Sequence, residues 1–292
     1  MTGIAKTVAS ALTASVFGIA TLATVAALPQ AAVAADLKVI RVGVNGDYNA
    51  QWDTVNKLLE KEGLKVKLVK YSDYATPNRA LNDGDIDLNS FQHKAFLAND
   101  IARNGYKIEA IGDTIVTPIR IFNNKERIKS LEDIKDGDII GIPSDLTNGG
   151  RAIKLLEAAG LIEVDPAKGY VPTKADIVKY NKRIKIREAE SGILARLLPD
   201  FAGAIINGGN AFTANLDPDK DSIFSEDINP KTNPNADRLI NVIAARSADK
   251  DNPDYQKVVK AYQTPEVAQT IKDAYKGAYV PAWSGAETYQ LK

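Results

Sequence analysis

The chain has 292 residues, with 37 Lys and Arg against 37 Asp and Glu, so no net field draws it to nucleic acid or to an anionic membrane. The absence of cysteine excludes disulfides, thiol catalysis and thiolate metal sites, and a single histidine excludes a histidine metal cluster. Met1 is the one methionine, so a chain that loses its start contains no sulfur, which chance, avoidance of oxidation or synthesis under sulfur limitation would each produce.

Residues 1–34 read as an export signal. Lys6 is followed by no charged residue over 7–35, and the Ala-, Val- and Leu-rich span ends in Ala32-Val33-Ala34, a small-x-small pattern that puts cleavage before Ala35. A retained membrane anchor is the alternative, because the uncharged span is long enough to cross a bilayer. The 258 residues that remain carry 36 basic against 37 acidic side chains, and are expected to be periplasmic and to fill two lobes of ordinary domain size.

Residues 38–44 alternate as a strand, and a helical pattern over 49–62 stops at Gly63. Next come a strand over 65–70, a short helix near Asn78 to Leu81, a strand over 86–88 and a helix over 93–104 ended by Gly105. This alternation predicts parallel sheets flanked by helices rather than a β-sandwich or a helical bundle. Over 111–122 two apolar stretches flank Thr117-Pro118, which is either one long bent strand or a crossover from one lobe to another. A second alternation follows. Ser130-Leu131-Glu132-Asp133 caps a short helix, 138–142 is a strand, 151–159 is a helix closed by Gly160, and 204–206 is a strand running into Asn207-Gly208-Gly209. Residues 239–245 form another apolar strand. After Pro253 two helices remain, the second running from Thr264-Pro265-Glu266 to Gly277.

Three segments carry polar chemistry. Thr147-Asn148-Gly149-Gly150-Arg151 stands between a strand and a helix, where free backbone N–H groups, close-approach glycines and an arginine fork would together hold an anion. A capped helix with a solvated arginine is the plain alternative. Asn207-Gly208-Gly209-Asn210 follows a strand, where an asparagine amide can donate to a carboxylate or accept from an ammonium, although a ligand-free glycine turn has the same look. Asn241, inside Leu239-Ile240-Asn241-Val242-Ile243, costs about 1–3 kcal/mol mid-strand unless it is hydrogen-bonded, so it should face a polar cleft.

Catalysis is hard to assemble from these parts. A triad would have to use His93, no G-x-S-x-G elbow or nucleotide P-loop occurs, and Asp83, Asp85 and Asp87 alternate in a segment that looks solvated. His93 itself, in Phe91-Gln92-His93-Lys94 after a short apolar run, reads as a capping or core-edge residue or as the wall of a cleft at a strand-to-helix turn. The chain looks like a binder and not an enzyme, with no cofactor and no metal.

Taken together, Tyr71-Ser72-Asp73-Tyr74, Pro77-Asn78, Gly84-Asp85-Ile86-Asp87, Phe91-Gln92-His93-Lys94, the Thr147 to Ala152 segment, Ala204-Ile205-Ile206-Asn207-Gly208 and Lys276-Gly277-Ala278-Tyr279-Val280-Pro281 resemble, in order and spacing, the NlpA lipoprotein family, the methionine-binding proteins of ABC importers. The resemblance spans nearly the whole chain after the leader. It implies an α/β, two-lobed periplasmic-binding-protein fold of the type II Venus-flytrap kind, each lobe a sheet flanked by helices, with 35–117 and 243–292 in lobe 1 and 118–242 in lobe 2.

On that resemblance the ligand is methionine or a close analogue, and the partner is an importer permease. Another small amino acid or an organosulfonate is the alternative, and the protein is expected to be a monomer that binds no nucleic acid. Arg151 would fork the ligand carboxylate, Asn207 and Asn241 would hold the carboxylate and ammonium ends, and Tyr74, Phe91 and His93 would wall the thioether. Family members commonly carry a lipobox cysteine; none is present here, which implies a free periplasmic protein. Asn210 departs from the aromatic or small residue expected near the cleft. Arg151→Ala is expected to abolish binding and leave the stability of the free protein nearly unchanged.

Overall fold

The computed structural model describes residues 37–46, 49–275 and 277–286. The expected export signal lies outside them. Among the described residues no helix is long and apolar enough to cross a membrane.

The first half runs β1 (Lys38–Asn45), α1 (Ala50–Leu59), β2 (Leu64–Tyr71), α2 (Thr76–Asp83), β3 (Leu88–His93), α3 (Lys94–Asn104) and β4 (Ile108–Val116). Then follow β5 (Arg120–Asn123), β6 (Ile139–Pro143), α4 (Leu146–Ala158), β7 (Ile162–Val164), β8 (Ile177–Tyr180), β9 (Lys185–Ala189), α5 (Leu194–Leu197), β10 (Gly203–Ile206), α6 (Gly208–Thr213) and β11 (Ser222–Ser225). The chain closes with β12 (Ile240–Arg246), α7 (Pro253–Tyr262), α8 (Pro265–Tyr275) and β13 (Val280–Pro281).

These strands build two main sheets, one per lobe. The six-stranded sheet has the order β13-β4-β12-β3-β1-β2 and the five-stranded sheet the order β11-β5-β10-β6-β9, while β7 and β8 pair as a separate ribbon. The expected parallel pairing holds for β1 with β2 and β3 and for β6 with β9 and β10. The remainder is antiparallel, because β12 returns between β3 and β4 and β5 runs against β10 and β11. Of the two readings of 111–122, the crossover is the one observed: β4 belongs to the six-stranded sheet, β5 to the five-stranded sheet, and Thr117, Pro118 and Ile119 pass between them. The expected lobe boundary at 242/243 falls inside β12, all of which lies in the six-stranded sheet.

Each sheet is covered on both faces. Trp52, Val55 and Leu59 of α1, spaced for one helix face, pack with Tyr262, Val267 and Ile271 of the C-terminal helices over β1. Leu81 and Leu97 cover the other face, Leu155 and Leu156 of α4 pack on Ile140 and Ile205, and Leu194 packs under Phe122 and Ile206.

Several boundaries differ from the sequence reading, each for a local reason. The strand expected over 86–88 is β3 at Leu88–His93: Ile86 is held in a turn whose N–H groups bond Ala80 O, and the strand continues through Asn89 and Gln92, buried amides that an apolar pattern cannot flag. Their polar atoms are met by Asn78, with Gln92 Nε2 donating to Asn78 Oδ1 at 2.6 Å and to Asn89 Oδ1 at 3.0 Å. The helix expected at 130–133 is a turn, closed by Asp133 Oδ2 accepting from Lys129 and Ser130 N–H groups. Asp87 is not solvated; it takes the Arg41 fork at 2.9 and 3.1 Å together with the Arg41 backbone N–H at 2.7 Å.

The helix expected at 151–159 begins at Leu146, so Gly149 and Gly150 lie inside α4 rather than in a loop before it. Packing explains Gly150: a Cβ there would stand 2.7 Å from Val171 Cα. Gly150→Ala should therefore destabilise the protein by about 1–3 kcal/mol, although alanine alone would favour the helix by about 1 kcal/mol. Urea unfolding of the two proteins decides the sign.

Candidate functional site

The end of β3, the start of α3, the first turns of α4, the β10–α6 junction and β12 converge on one cleft of about 750 Å³, counting the part open to solvent. All six expected site residues, Tyr74, Phe91, His93, Arg151, Asn207 and Asn241, line it.

His93 closes β3 and caps α3, its Nδ1 accepting the Phe96 N–H at 3.1 Å. A backbone N–H can only donate, so Nδ1 is unprotonated and the ring proton sits on Nε2. Nε2 then donates to Asn148 Oδ1 at 3.2 Å. Burial, with the Arg151 charge adding to it, pushes the His93 pKa down to about 3. Both readings of this residue hold at once: it is a helix cap and a wall of the cleft.

Asn148 joins both lobes. Its Oδ1 also accepts from Arg151 Nη1 at 3.2 Å and Asn207 Nδ2 at 2.9 Å, while its Nδ2 donates to both oxygens of Asp145 at 3.1 Å. Asp145 Oδ1 is itself the cap of α4, accepting the Asn148 N–H at 2.9 Å. The free helix N-terminus expected at this segment is thus already capped by an internal carboxylate.

Arg151 sits in the second turn of α4, buried, with its fork on Glu226. Nε meets Oε1 at 3.0 Å and Nη2 meets Oε2 at 2.5 Å, and Nη2 also donates to Thr117 O at 3.2 Å. One N–H of Nη1 is left over among these bonds. The stability expectation for Arg151→Ala changes with this geometry. Removing the guanidinium would strand a buried carboxylate, a loss of about 3–5 kcal/mol rather than none.

Asn207 follows β10 at the N-cap position of α6, where its side chain makes no capping bond. With Nδ2 turned to Asn148, its Oδ1 is buried and has no hydrogen-bond partner among the described residues. Asn241, half-buried, pairs with His93 across the β12–β3 register, which puts its side chain in the cleft lining.

The apolar side of the cleft is an aromatic cluster. Phe96 stands edge-on to Tyr74, Phe91 and His93 with ring centroids 5.9–6.2 Å apart, and Tyr74 and Phe91 lie 6.0 Å apart. Asn210 bridges Ser191 O at 2.9 Å and the Tyr74 hydroxyl at 3.2 Å, so the departure from an aromatic or small residue ties the β2–α2 loop to the second lobe. Burial raises the Tyr74 pKa, so it stays a neutral hydroxyl.

Sequence reasoning missed Asn148, Glu226 and Phe96 as site residues. Asn148 stood in a quoted motif and Phe96 lies one helical turn from His93; Glu226, 75 residues beyond Arg151, carried no local signal.

A family model described as NlpA lipoprotein matches residues 40–283. The D-methionine-binding lipoprotein MetQ of Escherichia coli K12 is 41% identical over 248 residues, covering 84% of this chain and 88% of that one. A nutrient binding protein from Burkholderia cenocepacia, solved bound to methionine, is 39% identical with a TM-score of 0.77 and covers 84% of this chain and 100% of its own. The substrate binding protein of a methionine transporter from Streptococcus pneumoniae is 32% identical with a TM-score of 0.78, covering 84% and 96%.

The His93 environment yields a pH dependence. Its folded pKa, about 3, lies below the ordinary 6.5, so the unfolded chain binds the proton more readily and stability is present above 6.5 and lost as pH falls toward 3. Between pH 7 and pH 5 the loss should be about 2 kcal/mol. Urea unfolding at both pH values, compared with His93→Gln, isolates it: the variant should lack this part of the loss.

Proposed function

The chain belongs to the NlpA lipoprotein family, and we propose that it is the extracytoplasmic substrate-binding protein of an ABC importer, closing on methionine and presenting it to the permease. The observation that carries this reading is the pairing of two groups with opposite needs at one end of the cleft. Asn207 Oδ1 is a buried acceptor without a donor, and Arg151 Nη1 beside it keeps one N–H; both residues bond the same Asn148 oxygen. An α-amino acid brings an ammonium for the first and a carboxylate for the second. Arg151 thus meets the carboxylate with one N–H, and its fork belongs to Glu226.

The other end of the cleft suits a thioether. Burying such a side chain against Tyr74, Phe91, Phe96 and His93 is worth roughly 1.5–3 kcal/mol in apolar area and about 0.3–1.5 kcal/mol in sulfur–aromatic contact. His93, neutral and with both nitrogens engaged, packs and orients rather than moving protons. The alternative of an organosulfonate leaves Asn207 Oδ1 without a donor, at about 1–3 kcal/mol. We place the lobe divisions at the two crossings between sheets, 117–119 and 226–239, and read the chain as an exported monomer that turns over no substrate.

Calorimetric unfolding of refolded, ligand-free protein with a panel of amino acids tests the reading. Methionine at about 100 times its dissociation constant should add roughly 2.7 kcal/mol, and an unmoved melting curve across the panel would overturn it. Asn207→Ala should weaken methionine binding about 10- to 100-fold in titration calorimetry, through loss of the ammonium acceptor.

A further inference from the structure

Glu226 follows β11, does not line the cleft, and stands behind Arg151 with its side chain 11% exposed against 2% for the arginine. We propose that Glu226 is a specificity-determining residue: it cancels the formal charge of Arg151, the one such charge among the described lining residues, so that the site admits a zwitterion and refuses an anion of the same shape. This rests on the amino-acid reading above.

Among the described residues the lining consists of amides, hydroxyls, aromatics, Ile115 and Gly209 around Arg151, and His93 is held neutral by the bonds on both its nitrogens. Without Glu226, Arg151 would face the cleft with only Asp145, one residue removed behind Asn148, to oppose its charge, and would favour anions. Instead Glu226 engages Nε and Nη2 in a two-point fork, with Ile119 N–H donating to Glu226 Oε2 at 3.2 Å as well. A buried fork of this kind is charge-compensated before any ligand arrives.

A ligand that brings a carboxylate must then bring its own positive charge, since an unpaired ion in a dry site is costly. An α-amino acid does so, its ammonium lying toward the unpartnered Asn207 Oδ1. The corresponding 2-oxo acid, with the same methylthio side chain but no ammonium, brings a bare negative charge to an arginine already matched. Glu226 therefore discriminates without touching the ligand, by setting the net charge that the ligand meets.

Titration calorimetry with L-methionine and with 4-methylthio-2-oxobutanoate, on wild type, Glu226→Gln and Glu226→Asp, tests this. Wild type should prefer methionine by about 100-fold or more, and Glu226→Gln should narrow that preference at least about tenfold by binding the oxo acid more tightly. Glu226→Asp, which keeps the charge, should keep the preference. If Glu226→Gln weakens both ligands by a common factor, Glu226 only positions Arg151 and the proposal fails. Wild type that binds no methionine would instead overturn the amino-acid reading itself.

Should Glu226→Gln not fold, wild type still decides with L-methioninamide, a cation, beside the oxo acid. A neutral cleft requires both ions to bind at least about 10-fold more weakly than methionine, and an oxo acid that binds within that margin overturns the proposal.

Discussion

Asn148 Oδ1 accepts from His93 on one lobe and from Arg151 and Asn207 on the other, and the polar groups of the cleft take their orientation from it. The sequence of causes begins with Asp145. Its carboxylate caps α4 and draws the Asn148 amide nitrogens toward itself, which turns Oδ1 to the cleft. An oxygen there selects donors only. Asn207 must therefore present Nδ2, which leaves its own oxygen buried without a donor, and His93 must carry its proton on Nε2. One helix cap thus decides the tautomer of a histidine and the polarity of an amide on two other elements.

On the proposed function, burial is what would make this arrangement selective rather than merely ordered. Arg151 and Glu226 neutralise each other away from water, and the amide cluster of Asn78, Asn89 and Gln92 satisfies itself beneath β3, so little competes with a ligand for the remaining groups. The aromatic cluster on the opposite side supplies apolar area and shape. Polar groups and apolar area are therefore divided between two sides of the cleft.

Much of this was readable along the chain. The alternation of strands and helices, the glycines at positive φ that close the turn after α1 and the end of α3, and the polar residues set into apolar runs all marked real features, and the six residues expected at the site do meet in one cleft. The errors share a cause. β3 extends through buried amides that are satisfied by one another, and α4 starts five residues early through two glycines, of which Gly150 is demanded by packing against Val171, so neither follows from hydrophobic period or local propensity.

The residue order alone shows the class of molecule: an α/β chain without thiols, with one histidine, an arginine at a strand-to-helix junction, an asparagine after a strand and another within one. Which of those groups remain available follows from the packing of the fold. The pairing of Arg151 with Glu226, the register that sets Asn241 across from His93, and the shared oxygen of Asn148 all join residues far apart in the chain. A hydrogen bond or an ion pair depends on angstrom-scale distance and on exclusion of water, and both are properties of the packed fold and not of spacing along the chain.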